Sequence, residues 1–148
     1  MQHDTDIMVY TSYFGNLRHI EKNATEPMVF FSIAGKTPAW FLSENFKNHK
    51  KLSVFAPKFS WWSEWHNKFS ENLDSKESID FYREKYEKTV LSDINMQYLH
   101  NELTNCGGIP VLLCFETPDK FCHRQLVCDF LNKHGIKCEE WTINSMPH

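Results

Sequence analysis

Val111-Leu-Leu-Cys-Phe-Glu-Thr-Pro-Asp-Lys-Phe-Cys-His-Arg-Gln-Leu-Val127 reads as an apolar strand, a short turn and the start of a helix. An unbroken run such as Val111-Leu-Leu-Cys-Phe115 suits a strand covered on both faces, which is the habit of parallel sheets. The turn that follows holds Pro118. Beyond it Leu126, Val127, Phe130 and Leu131 recur at helical spacing, giving a helix over residues 121–134 that Gly135 closes. Phe130 falls in the middle of this apolar stripe, whereas His123 falls near the helix start and outside it.

Outward from this unit the same grammar repeats. Residues 7–14 and 28–34 read as two further buried strands, and residues 136–142 as the last one. Gly35-Lys-Thr-Pro38 stops the second strand and leads to a short helix over 39–46, and residues 52–56 are expected as a short strand stopped by Pro57. Ile79, Tyr82, Tyr86 and Val90 mark a helix; Met96, Leu99 and Leu103 mark another, ended by Asn105-Cys-Gly-Gly108. The tail after Asn144 reads as frayed. Strands alternating with helices give the fold class: a single α/β domain over 1–148, three layers, with a mostly parallel sheet of about four to five strands.

Composition narrows the function classes. The 148 residues are 41% hydrophobic and 15% aromatic, so the chain supports a packed core. A net charge of −3 argues against a domain whose whole surface grips nucleic acid and leaves room for a local basic patch. No apolar run approaches the ~20 residues of a membrane span. The five cysteines are odd in number and no secretory signal is read before them, so a reducing, cytoplasmic setting with no native disulfide is expected.

Parallel sheets bind ligands beyond the carboxyl ends of their strands. Three such ends are readable: Thr11-Ser-Tyr-Phe-Gly-Asn16, Ser32-Ile-Ala-Gly-Lys36 and Cys114-Phe-Glu116. Together with the helix start they gather Ser12, Tyr13, Ser32, Lys36, Cys114, Glu116, Cys122, His123 and Arg124. His123 and Glu116 suit acid–base work. Cys122 in a first helical turn suits a thiolate, with core packing as the plain alternative. Arg124 suits a bidentate clamp on phosphate or carboxylate, or else an ion pair with Glu116 or Asp119. Residues 47–69 interleave lysines with Trp61, Trp62 and Trp65, a pattern that stacks bases or packs a helix on the sheet; Trp61 is the candidate ligand contact.

Two sharper motifs fail. A phosphatase loop needs Cys and Arg six positions apart, but Lys120 stands six after Cys114, and Arg124 only two after Cys122. A structural zinc site takes four ligands in paired spacings. Cys114, Cys122 and His123 supply three with no CxxC pair, so neither metal nor cofactor is expected.

The chain resembles the YeaO-like proteins, domain of unknown function 488, in the subgroup with a full Cys-His-Arg signature. The resemblance rests on Val9-Tyr-Thr-Ser-Tyr-Phe-Gly-Asn16, Ser32-Ile-Ala-Gly-Lys-Thr-Pro38, Ala56-Pro57, the Tyr82 and Tyr86 helix, Leu112-Leu-Cys-Phe-Glu116 and Cys122-His-Arg-Gln-Leu-Val127. It implies mostly fold, a compact α/β domain with the signature at the sheet rim, and carries over no settled activity; nucleotide or nucleic-acid processing is the expectation for this subgroup, compatible with the basic and aromatic middle of the chain. Some relatives carry another polar residue before the histidine, which shifts weight from Cys122 to His123. The expectation is therefore a pocket that binds or processes a nucleotide or nucleic-acid base. The alternatives are a module that sequesters a ligand or inhibits a protein partner, and a thiol- or metal-dependent protein.

Overall fold

A computed structural model describes residues 7–44 and 48–145. Among the described residues five strands form one sheet: β1 (Met8–Tyr13), β2 (Met28–Ser32), β3 (His49–Lys51), β4 (Ile109–Cys114) and β5 (Lys137–Glu140). Their order is β3-β2-β4-β1-β5, and every pairing is parallel. The carboxyl ends of all five thus share one edge. β4 lies between β2 and β1, in register with both, and is buried from Pro110 to Cys114. This matches its unbroken apolar sequence.

Six described helices cover the sheet: α1 (Leu17–Asn23), α2 (Ala39–Glu44), α3 (Phe59–Lys68), α4 (Lys76–Thr89), α5 (Met96–Thr104) and α6 (His123–Lys133). Leu17, Ile20 and Phe41 pack α1 and α2 on one face, against Tyr10, Phe30, Val111 and Leu113. The other four helices cover the opposite face, where Trp61, Trp65, Tyr82, Tyr86, Leu99 and Val127 meet Val29, Phe31 and Leu112. The result is the three-layer α/β domain expected. No described helix is long and apolar enough to cross a membrane.

Local chemistry sets the element ends. Ser75 and Asn95 cap α4 and α5 by accepting the amide hydrogens of Ser78 and Tyr98. Gly135, at φ 81°, reverses the chain after α6, a conformation that L side chains resist.

Several expectations are corrected here. The strand expected over 52–56 is a 3-10 turn, Ser53–Phe55, and the edge strand β3 stands just before it. The reason is that Leu52 and Phe55 are buried three apart, on one side of a tight turn, instead of alternating. Residues 17–23, read as no element, form α1. Asn45 and Phe46 of the helix expected over 39–46, Lys47 of the basic aromatic segment and residues 146–148 of the tail lie outside the described residues.

Where β2 and β4 begin, Gly108 approaches Pro27 so closely that an added Cβ would stand 2.6 Å from the Pro27 carbonyl oxygen. That oxygen accepts the Ile109 amide hydrogen at 2.9 Å and starts the ladder. Gly108→Ala should therefore cost about 1–3 kcal/mol in urea unfolding. Gly15→Ala, whose Cβ meets the Tyr13 ring at an ordinary 3.4 Å, should unfold near wild type. Equal midpoints for the two variants would contradict this placement of Gly108.

Candidate functional site

Beyond the carboxyl ends of β2 and β4 lies a cavity of about 940 Å³. The loop after β2 supplies one wall, including Lys36 and Pro38. The end of β4 and the following loop supply Cys114, Phe115, Glu116 and Lys120, and the start of α6 supplies Cys122 and His123. The remaining wall is aromatic: Phe59, Trp62, Trp65 and His66 from α3, with Tyr82 from α4. Asp74, in the loop between α3 and α4, accepts the Phe121 amide hydrogen at 2.8 Å and fastens that wall to the α6 entry.

His123 sits deeper than its place in the sequence suggested. It is buried against the rings of both Tyr82 and Tyr86, and its Nε2 lies 2.7 Å from the Ile33 carbonyl oxygen. A carbonyl only accepts, so Nε2 carries the proton and Nδ1 keeps its lone pair. Nδ1 stands 4.0 Å from Cys122 Sγ. Burial pulls the His123 pKa down to about 4; the neighbouring Arg124 charge adds to the depression, and the Ile33 hydrogen bond opposes it. The imidazole is neutral near pH 7. Phe130, expected at the centre of the α6 stripe, is only half-buried, edge-on to Phe55 and beside His134. The stripe faces the sheet through Leu126, Val127 and Leu131, and His123 extends it by one turn.

Arg124 is wholly buried, and its donors are committed inside the protein. Nε and Nη2 hold the two carboxylate oxygens of Glu140 at 2.9 and 3.0 Å. Nη1 donates to the Glu116 carbonyl oxygen and, at 3.3 Å, to Cys114 Sγ. The ion pair expected with Glu116 or Asp119 is thus made with Glu140, and the guanidinium lies outside the cavity lining. Glu140 also accepts the Thr11 hydroxyl hydrogen at 2.8 Å.

Three more candidates lie away from the cavity, Ser12 and Ser32 by strand alternation. Ser12 and Ser32 point to the face covered by α1 and α2. Ser12 accepts from the Asn16 amide at 3.1 Å, while Ser32 shares a 2.7 Å hydrogen bond with Thr37. Tyr13 points the other way, but its ring lies under the Arg124 guanidinium at 5.9 Å. Trp61 is core: it donates to the Thr89 hydroxyl at 2.7 Å and packs edge-on against Tyr82. Trp62 and Trp65 line the cavity instead, Trp65 from the same helix face as Trp61. Lys36, Cys114, Glu116, Cys122 and His123 are brought together as expected.

The cysteines depart from expectation. Cys114 and Cys122 are joined as a disulfide across the cavity floor. They stand eight positions apart, and the loop closes because the helix start returns to the strand end. The thiolate expected of Cys122 does not exist in this form. Cys106, Cys128 and Cys138 are free thiols. The ligand atoms of Cys114, Cys122 and His123 all lie within 4.8 Å of one another, so the cysteines, once reduced, offer an S,S,N donor set. No match to this chain is found among family models, curated proteins or solved structures.

The depressed His123 pKa carries a pH signature. An unfolded imidazole titrates near about 6.5. From there down to about 4 the unfolded chain binds a proton that the folded chain excludes. Stability should therefore fall with falling pH across that window and level off below it, by up to about 3 kcal/mol. His123→Gln retains a donor for Ile33 and loses the titration. Urea unfolding of both proteins between pH 7 and 4 should show a steeper loss for wild type, and identical slopes would contradict a buried neutral His123.

Proposed function

We propose that the cavity receives the base of a nucleotide or of a single-stranded nucleic acid. The observation that supports this reading is an aromatic ladder along one wall. Phe59 and Trp62 stack at 6.3 Å with 21° between their planes, and Trp62 and His66 at 5.0 Å with 16°. All three line the cavity, and Phe59 is 75% exposed. A large ring left in water at a cavity mouth gains little from the core, whereas a flat ligand gains from it. Base–aromatic stacking contributes about 1–3 kcal/mol per base and tolerates any base.

Charge fits the same ligand. Lys36 and Lys120 are exposed in the cavity lining and suit a phosphate or sugar-phosphate backbone. Arg124 has no part in this, since its donors are held by Glu140 and Glu116. Glu116 is the carboxylate positioned to move a proton on a bound base, and the Nδ1 lone pair of His123 is the neutral acceptor beside it. The composition suits a cytoplasmic setting.

Calorimetric titration with mononucleotides and a short single-stranded oligonucleotide tests the reading. Wild type should bind at least one base-containing ligand. Trp62→Ala should weaken that binding by about 1–3 kcal/mol, roughly 5- to 150-fold. Glu116→Gln should keep binding; loss of ligand turnover in that variant marks a processing enzyme, and a wild type that binds without turnover marks a sequestering module. No binding by wild type, or equal binding by Trp62→Ala, would overturn the proposal.

A further inference from the structure

We infer that Cys114, Cys122 and His123 form a site for a divalent metal of the zinc class in the reduced protein, with one coordination position open to the cavity. This goes beyond the ligand reading above and does not depend on it, because the donors, the backbone and the cavity floor carry it alone.

The three donor atoms come from two places that the fold fixes independently. Cys114 ends the central strand β4, while Cys122 and His123 open α6. Their ligand atoms already lie within 4.8 Å of one another. The Cα atoms of the two cysteines stand 7.3 Å apart, beyond the roughly 4.4–6.8 Å usual for disulfides, so the backbone leaves room for an atom between the sulfurs.

The surroundings orient the donors. Metal-bound histidines usually give their second nitrogen hydrogen to a carbonyl or carboxylate, which fixes the ring and frees the other nitrogen to bind. His123 does this: Nε2 donates to Ile33, and Nδ1 faces Cys122 Sγ. Arg124 donates to Cys114 Sγ at 3.3 Å, a contact that favours a thiolate over a thiol. All three residues line the cavity. Three protein donors with a solvent-facing fourth position are the pattern of catalytic zinc, in which the metal polarises a water or a substrate atom. Glu116 lines the same cavity, two residues beyond Cys114. The spacing in the sequence hides this donor set, because the fold and not a short motif joins its halves.

The disulfide and the metal exclude each other, since both use the same two sulfurs. Opening the S–S bond takes two electrons and two protons from a dithiol reductant, which becomes a disulfide in turn. The metal then displaces the two thiol protons on binding. The site is therefore gated by the thiol redox state.

Cobalt(II) added to anaerobically reduced protein tests the inference, because tetrahedral thiolate coordination produces a charge-transfer band and intense visible bands. One cobalt per chain should bind with these bands, and zinc should displace it. Oxidised protein should show none. Cys114→Ser and Cys122→Ser should each weaken binding by more than about 100-fold, the upper end of the loss when an outer partner alone is removed. Cys128 and Cys138 are free thiols outside both the cavity lining and the donor set, so the double variant Cys128→Ser/Cys138→Ser is the control and should bind as wild type. Wild type offers a second readout independent of variant folding: zinc should protect Cys114 and Cys122 from alkylation and leave Cys106 reactive. Reduced wild type without thiolate bands at saturating cobalt, retained binding in both folded serine variants, loss of binding in the control variant, or equal alkylation of Cys114 and Cys122 with and without zinc would overturn the inference.

Discussion

A guanidinium with no exposure to water, held by one carboxylate and one carbonyl, governs this architecture. Arg124 joins three successive segments: the loop after β4 through the Glu116 carbonyl, the start of α6 on which it sits, and the sheet edge β5 through Glu140. Leaving such a charge unpaired in the interior would cost several kcal/mol, so these partners must assemble together or not at all. Their assembly also places the neighbours of Arg124. His123 is pressed against the Ile33 carbonyl, Cys122 is returned to Cys114, and the Glu116 side chain is left free on the cavity side.

One consequence is a division of labour among the polar groups. The residue best suited by chemistry to clamp an anion lies beneath the cavity, and the cations on the cavity walls are Lys36 and Lys120. Lysines offer point charges on flexible stems, without the planar fork of arginine. In the proposed reading such a site attracts an anion and leaves its orientation to the aromatic wall. There Trp65 is anchored by its 2.8 Å hydrogen bond to the Ser78 hydroxyl, and Phe59, Trp62 and His66 stack along the same helix.

The sheet was largely legible in the sequence because its inner strands are buried on both faces and therefore read as unbroken apolar runs. β4 and α6 in particular follow directly from Val111-Leu-Leu-Cys-Phe115 and from the spacing of Leu126, Val127 and Leu131. The edge strand β5 was read within residues 136–142, but the other edge strand was not legible. β3 is His49-Lys50-Lys51, polar in sequence, and it pairs along one side only. Side-chain direction was the other blind spot. The three strand ends do share a rim, but alternation turns Ser12 and Ser32 to the opposite face, and neighbouring tryptophans on α3 divide between core and cavity. Burial of His123 and partial exposure of Phe130 likewise depend on where α6 crosses the sheet, which the helical period does not specify. The Cys114–Cys122 contact arises from chain return, and no short spacing announces it.

The central claim is that Arg124 is architecture and that the chemistry of the cavity belongs to its neighbours. Equilibrium urea unfolding of Arg124→Met tests it most directly, since methionine keeps the apolar stem and removes every donor. The account predicts a loss on the order of 3 kcal/mol, as the Glu116 carbonyl and the Glu140 carboxylate lose their partner together. An Arg124→Met protein as stable as wild type would contradict it, and would return Arg124 to the cavity as a group kept for a ligand.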